Sequence, residues 1–137
     1  MKNKIKKPFE KKLENGQITD AKGNQYRGEM HKDKKEGYGE LLFWNGDKYK
    51  GQFRNDSIFG LGTFWSVHTG CKMEGKFKNQ TSGNGKIYFL DGSVYEGEFK
   101  DKAAHGGGKY TNSKARTVYE GGWYKGMKEG KEISNFC

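Results

Sequence analysis

The sequence predicts an all-β protein, an elongated single-layer twisted array of antiparallel β-hairpins. The first observation behind this prediction is a five-residue phrase: an aromatic residue, any residue, Gly, any residue, and a large apolar residue. The phrase begins at Tyr26, Tyr49, Met73, Tyr95 and Tyr119. The copies start 22 to 24 residues apart. A short, nearly fixed period of this kind indicates stacked repeats rather than a single globular core.

The second observation is a Gly-x-Gly triplet about eleven residues after each of the first four starts, followed two residues later by an apolar residue. The triplets begin at Gly37, Gly60, Gly83 and Gly106. Period-two alternation places residues of the same parity on one face of a strand. The first strand of a unit should therefore present Tyr49, Gly51 and Phe53 on one face, and the second strand should present its two glycines.

Glycine weakens a strand unless another backbone or a ring must come close to it. We therefore expect the rings of one strand to lie over the glycines of its neighbour. A bulge with positive φ is the alternative explanation for the same glycines. The residues expected to hold the repeats together are Tyr26, Gly28, Tyr49, Gly51, Phe53, Gly60, Gly62, Gly75, Phe77, Gly83, Gly85, Tyr95, Gly97, Phe99, Gly106, Gly108, Tyr119, Gly121 and Trp123.

The segments between strands are polar and carry turn signals. About five polar residues separate the two strands of each unit, which predicts hairpin loops of that length. Asn45-Gly46-Asp47 is a typical turn between units. The segment 112–117 lacks glycine, so we expect a connection of different shape there.

The register of the repeats extends upstream of the first copy. Gly16 and Ile18 stand where the second strand of a unit would have its glycine and apolar residue. They predict the second strand of a degenerate leading unit, and Phe9 and Leu13 are candidates for its first strand.

The combination of these two patterns at this period resembles the MORN repeat. The resemblance covers about four-fifths of the chain, and its departures are Met73 for the leading Tyr, Met30 for the second aromatic and Glu132 for the last glycine. The last of these predicts an incomplete final hairpin. The units are 26–48, 49–72, 73–94, 95–118 and a partial copy at 119–131, within an array over 13–131 that follows a basic arm (1–12) and precedes a tail (132–137).

MORN repeats form elongated, twisted arrays of hairpins with a groove along one side. The resemblance implies a non-catalytic scaffold or adaptor, because enzymes that carry MORN repeats keep catalysis in a separate domain. It implies a structural subunit of a cytoskeletal or ciliary (axonemal) assembly, with other proteins as partners and a cytoplasmic, cytoskeletal or ciliary location. Open edge strands at the ends offer a route to a homodimer.

Composition is consistent with order that comes from aromatic packing. The net charge of +9, together with few aliphatic residues, favours disorder when taken alone. Aromatic residues are 15% of the chain and recur at fixed offsets, which opposes that inference. Cys71 and Cys137 form no C-x-x-C pair, which predicts free thiols in a reducing compartment. No signal sequence or membrane span is evident, so we expect an intracellular protein.

Two groups of residues are candidates for contact with partners. The face opposite the Tyr and Gly rows should carry large aromatics that form a binding groove, unless curvature of the sheet buries both faces. These aromatic candidates are Tyr38, Trp44, Trp65 and Tyr88. The second group consists of the lysines of the arm, which either form a solvated tail or bind an acidic surface such as tubulin tails or anionic lipid. They are Lys2, Lys4, Lys6, Lys7, Lys11 and Lys12.

No pattern of catalytic or metal-binding residues emerges from the sequence. His31, His68 and His105 occupy different offsets in their units, so they should not stack into one site. No nucleophile or phosphate-loop motif is present. We therefore expect no cofactor, no metal and no nucleic-acid partner.

Overall fold

The computed structural model describes residues 12–112, 114, 117–125, 127–128 and 131–132. These residues form one open antiparallel sheet in which every strand pairs with its neighbours in sequence. The strands are β1 (Glu14–Thr19), β2 (Gln25–His31), β3 (Lys34–Leu42), β4 (Lys48–Arg54), β5 (Ser57–Trp65), β6 (Lys72–Phe77), β7 (Gly83–Tyr88), β8 (Val94–Lys100), β9 (Ala103–Asn112), β10 (Thr117–Tyr124), β11 (Met127–Lys128) and β12 (Lys131–Glu132). Within this described part, no helix is long and apolar enough to cross a membrane. The predicted all-β hairpin array is confirmed.

Three of the hairpin turns are tighter than the sequence suggests. The turns after β2, β4 and β8 contain two residues, both with positive φ between 50° and 74°. Two residues with positive φ match the twist of the flanking strands. The predicted five-residue loop is therefore wrong for these hairpins, because the other polar residues extend the strands. It is correct for residues 78–82, between β6 and β7.

Each of these hairpins has both a hydrogen bond from a tyrosine hydroxyl group and a β-bulge. Tyr49 donates a hydrogen bond to the carbonyl oxygen of Gln52 at 2.8 Å, and the pairing of β4 with β5 shifts register between Gly51 and Phe53. The same bond and the same shift occur at Tyr26 and Tyr95. Met73 has no hydroxyl, and its strand pairs with β7 without a shift. In these three hairpins the bulge thus occurs where a tyrosine binds the carbonyl group of the residue that lies opposite the extra residues of the next strand.

Ten glycines form one continuous row across β1 to β10, each paired directly with the next. They are Gly16, Gly28, Gly39, Gly51, Gly62, Gly75, Gly85, Gly97, Gly108 and Gly121. A Cβ atom on Gly62 would lie 2.5 Å from Cζ and 2.6 Å from Cε1 of Tyr49. The prediction that rings lie over glycines is confirmed. Its alternative also applies, since Gly60 outside the row has a φ of +97°.

The core of the sheet is a chain of edge-to-face aromatic contacts on one side. Phe53 lies between Tyr26 and Tyr49, with centroid distances of 5.0 and 5.2 Å. Tyr49 also contacts Phe77 at 5.5 Å, and Phe77 contacts Phe99 at 5.5 Å. Edge-to-face pairs stabilise beyond their buried area. The aromatic residues of each unit therefore pack against those of the next unit, and the core is continuous along the array.

The ends of the array depart from the internal repeats. β1 pairs with β2 and confirms the leading half-unit. Leu13 precedes β1 and lies in no strand, so its proposed role in a first strand is wrong, and Phe9 lies outside the described residues. At the other end β10 pairs with β11 at two positions within the described residues, which is in keeping with an incomplete last hairpin. In the connection 112–117, residues 113, 115 and 116 are outside the described part.

Cys71 is buried and disulfide-bonded. The prediction of a free thiol at this position is therefore wrong. Spacing along the chain could not reveal this bond, because Cys71 belongs to no short cysteine pair. Cys137 lies outside the described residues.

Alkaline pH should unfold the array. Burial raises the pKa of Tyr26, Tyr49 and Tyr95 to about 12, from an ordinary value of 10.0. Between these two values the folded state keeps protons that the unfolded state has released, so stability is constant below pH ~10 and falls towards pH ~12. Urea unfolding followed from pH ~9 to ~12 should show this decline, together with the absorbance change of tyrosine ionisation. A free energy of unfolding that stays level across this range would contradict it.

Candidate functional site

An open groove of about 1040 Å³ runs along the sheet on the face opposite the aromatic core. Its lining residues come from the seven consecutive strands β2 to β8, with both of these included. Seven strands at a spacing of about 4.8 Å give the groove a length of about 29 Å. Its floor is main chain because the glycine row crosses it at Gly39, Gly51, Gly62, Gly75 and Gly85. Glycine is thus used on both faces: it admits rings on one side and leaves the backbone open on the other.

A row of seven side chains, six of them charged, follows the groove. Each one is paired directly with the next across neighbouring strands. In strand order they are Arg27, Glu40, Lys50, Thr63, Glu74, Lys86 and Glu96. Ion pairs join Arg27 to Glu40 at 3.3 Å and Lys86 to Glu96 at 3.5 Å. Thr63 interrupts the row at β5 with an uncharged side chain. Exposed pairs of this kind are weak and can exchange partners.

Large apolar side chains lie beside the interruption. Tyr38 and Leu61 are 57% and 58% exposed, and both line the groove with Trp65. Gln52 links two of them, since its Nε2 donates to the Tyr38 hydroxyl at 3.3 Å and its Oε1 accepts from the main-chain N–H of Leu61 at 2.7 Å. The centre of the groove therefore offers apolar contact area at fixed positions.

The aromatic candidates from the sequence separate into three locations. Tyr38 and Trp65 line the groove. Tyr88 lies on the same face next to the groove, where the Lys72 ammonium is 4.6 Å from its ring centroid. Trp44 is on the turn after β3, so its expected place on the sheet face is wrong, because the strand ends at Leu42. Leu61 also lines the groove and was not among the residues predicted from the sequence. Its position in the middle of Gly60-Leu61-Gly62 was the available signal.

A second exposed apolar feature lies on the turns between units. Trp44, Val67 and Leu90 are 69%, 57% and 80% exposed on three consecutive turns, and we call them the turn ridge. Each packs against the glycine of the preceding turn. A Cβ atom on Gly46, for example, would lie 3.3 Å from Cγ2 of Val67. The turns therefore stack along one long edge of the sheet, away from the groove.

The remaining polar candidates do not converge on a site. His31 ends β2, His68 is on a turn and His105 is in β9. Among the residues that the structure describes, no three His, Cys, Asp or Glu side chains are grouped as metal ligands. Of the basic arm only Lys12 is described, and its carbonyl oxygen is 3.2 Å from Nδ1 of His31. Lys2, Lys4, Lys6, Lys7 and Lys11 lie outside the described residues.

The sequence also matches a known family along most of the array. The MORN repeat matches residues 26–48, 49–67, 95–114 and 119–131, which together exceed half of the chain. These matches pass over the unit that begins at Met73, which is also the unit without a bulge. No curated protein matches the chain. MORN repeats are non-enzymatic modules that generally take part in protein–protein or membrane–lipid interactions. The hairpin array, its glycine row and these matches show that the chain belongs to the MORN-repeat family.

Proposed function

We propose that the protein is a non-catalytic scaffold that holds a segment of a partner protein in the groove. The observation that carries this proposal is an open groove about 29 Å long that is lined by the exposed Tyr38 and Leu61 and the half-buried Trp65. Large exposed aromatic and aliphatic side chains in a concave site are typical anchors for a protein partner. The ring contacts between units make the array a continuous support for such a segment.

The scaffold is further proposed to be a structural subunit of a cytoskeletal or ciliary assembly. This part of the proposal rests on family resemblance, which is an argument by analogy. It predicts that proteins of such an assembly are recovered when the tagged protein is crosslinked and purified. Crosslinks should fall on lysines beside the groove, such as Lys50 and Lys86.

Replacement of the two central apolar residues should remove most of the binding. The double change Leu61→Ala and Trp65→Ala deletes the contact area on β5 while keeping the strand, because both side chains are on the face opposite the core. We expect the affinity for the crosslinked partner to fall by about 30-fold or more, as for the loss of an interface hot spot. Calorimetric titration with the purified partner measures this loss.

Leu90→Ala is the matched control for that change. It removes a large exposed apolar side chain on the turn ridge, away from the groove. The control should bind as the unchanged protein does. Equal weakening by the control and by the double change would contradict groove binding.

A peripheral membrane module that binds anionic phospholipid is the second candidate. The turn ridge favours it, because Trp44 and its neighbours offer side chains that insert at a lipid interface. The lysines of the arm would add attraction to anionic headgroups. Flotation with anionic vesicles separates the candidates. Salt-sensitive binding that is lost when residues 1–12 are deleted favours the membrane, and no binding at physiological salt favours the scaffold.

A further inference from the structure

The middle of the grooved face is strongly basic. On β4 to β7 it carries five lysines and a single acidic residue, Glu74, around Leu61, Trp65 and Tyr88. We call these side chains the basic platform. The lysines are Lys48, Lys50, Lys72, Lys76 and Lys86. Strand pairing places Lys48, Trp65, Lys72 and Tyr88 side by side, and two of the ammonium groups lie over the rings at 5.0 and 4.6 Å.

The excess of basic residues ends on both sides of the basic platform. On β2 and β3 the same face has Glu29 and Glu40 against Arg27 and Lys34. On β8 and β9 it has Glu96 and Glu98 against Lys100 and Lys109. The grooved face thus runs from an end with balanced charge, across a basic middle, to a second end with balanced charge. This order restricts what can lie along its whole length.

The floor of the groove restricts the occupant in a second way. The glycine row pairs strand by strand, so the main-chain groups of the floor already bind those of neighbouring strands. A segment that lies along the groove therefore cannot extend the sheet by main-chain hydrogen bonds, as an added edge strand would. Its own main-chain groups must then find partners within the segment itself, in side chains of the groove or in water, and an intramolecular arrangement needs neither of the last two. An α-helix is such an arrangement.

We propose that the groove binds an amphipathic helix that has its acidic residues in the middle and an apolar stripe that faces Leu61 and Trp65. This inference rests on the proposed scaffold function and specifies its partner. A helix that fills the groove has about 19 residues, because each residue rises 1.5 Å. The basic platform spans four strands, or about 14 Å, so about ten central residues of the helix are acidic. The ion pairs Lys50–Glu40 and Lys86–Glu96 exchange for contacts with the helix.

A nucleic-acid strand fits this charge order less well. Its phosphates carry negative charge along the whole length. Only the phosphates over the basic platform would meet an excess of positive charge, because acidic and basic residues balance on both sides of it. The rings of Trp65 and Tyr88 are also covered by lysines, so they are less open to stacking bases. A protein segment with a mixed charge order is therefore the better match.

The test uses two synthetic 19-residue helical peptides, a length taken from the estimate of about 19 residues above. One peptide has an acidic middle and basic ends. The other has the same composition and apolar stripe, with acidic and basic residues exchanged. Fluorescence anisotropy with the full chain should show about tenfold tighter binding of the acid-centred peptide. The difference should shrink when salt is raised from about 0.1 M to about 1 M.

A second test reverses the charge of two lysines in the groove and asks whether the preferred peptide changes accordingly. Lys50→Glu with Lys86→Glu should shift the preference to the exchanged peptide. Lys22→Glu with Lys78→Glu makes the same change in net charge on exposed turn positions and should leave the preference unaltered. Thermal melts of both variants check that the fold is retained, because all four side chains are exposed.

The outcomes separate this inference from the function on which it rests. Equal binding of both peptides, weakened alike by Leu61→Ala with Trp65→Ala, would overturn the charge rule and leave the scaffold proposal intact. Binding of neither peptide, while crosslinks still map a partner to the groove, would overturn the inference alone. A single-stranded oligonucleotide that binds more tightly than the acid-centred peptide would also overturn it.

Discussion

Gly62→Val should unfold the centre of the array. A Cβ atom at this position collides with the Tyr49 ring, and that ring is held between Phe53 and Phe77. Overpacking of a fixed site costs typically 1–3 kcal/mol or more, so we expect a loss of about 3 kcal/mol. Chemical denaturation followed by circular dichroism measures the loss as a lower midpoint.

Gly107→Val is the matched control in the same kind of strand. Gly107 is exposed in β9, and a Cβ atom there has no other atom within 4 Å. Its φ is not in the positive range. The control should change stability by no more than about 0.5 kcal/mol, as surface substitutions do. If Gly62→Val were equally harmless, the ring contact would not be what requires glycine in the row.

Tyr49→Ala should have an effect at least as large. The side chain is fully buried, touches Phe53 and Phe77, and fixes the bulge through its hydroxyl. Removal of a buried aromatic ring costs about 3–5 kcal/mol. The midpoint of urea unfolding should fall accordingly, and the loss should spread to both neighbouring units, which share this ring.

Tyr49→Phe separates the ring from the hydroxyl. It keeps the packing but leaves the carbonyl oxygen of Gln52 without its 2.8 Å bond. The cost should be about 1–3 kcal/mol, that of an unsatisfied buried polar group. A stability equal to that of the unchanged protein would mean that the hydroxyl bond does not support the bulge.

The period and parity of the sequence predicted the array, its sheet faces and the leading half-unit. They did not predict the hairpin turns. Lys32–Asp33 and Asp101–Lys102 carry positive φ without glycine, so no local signal marked them as tight turns. The bulge could not be predicted either. It is accompanied by a hydrogen bond from Tyr49 to the main-chain carbonyl group of Gln52, a group that every residue has.

The unit at Met73 shows that the size of the leading side chain does not by itself decide whether a hairpin has a bulge. Met73 is fully buried and fills space as a tyrosine ring would, and its unit was counted from the sequence as one of the five copies. It cannot bind a main-chain carbonyl group, and its hairpin has no register shift and a five-residue loop. The difference is a matter of hydrogen bonding rather than volume.

The groove was predictable only in part. Alternation placed Tyr38, Trp65 and Tyr88 on the face away from the core. Trp44 was misplaced because alternation stops at the end of a strand. The basic platform could not be predicted, since Lys48 and Lys72 are 24 positions apart in sequence and meet only through the pairing of each with β5. Such clusters require the register of the strands.

The order of strands in the sheet has a consequence for the time course of folding. Because each strand pairs only with strands adjacent in sequence, each pairing closes a short loop of chain. Short loops have a small closure entropy, and local topology is associated with fast folding. A stack with interactions only between neighbours can start at any hairpin and grow in either direction. The sheet can therefore lengthen one hairpin at a time while the chain is still being synthesised.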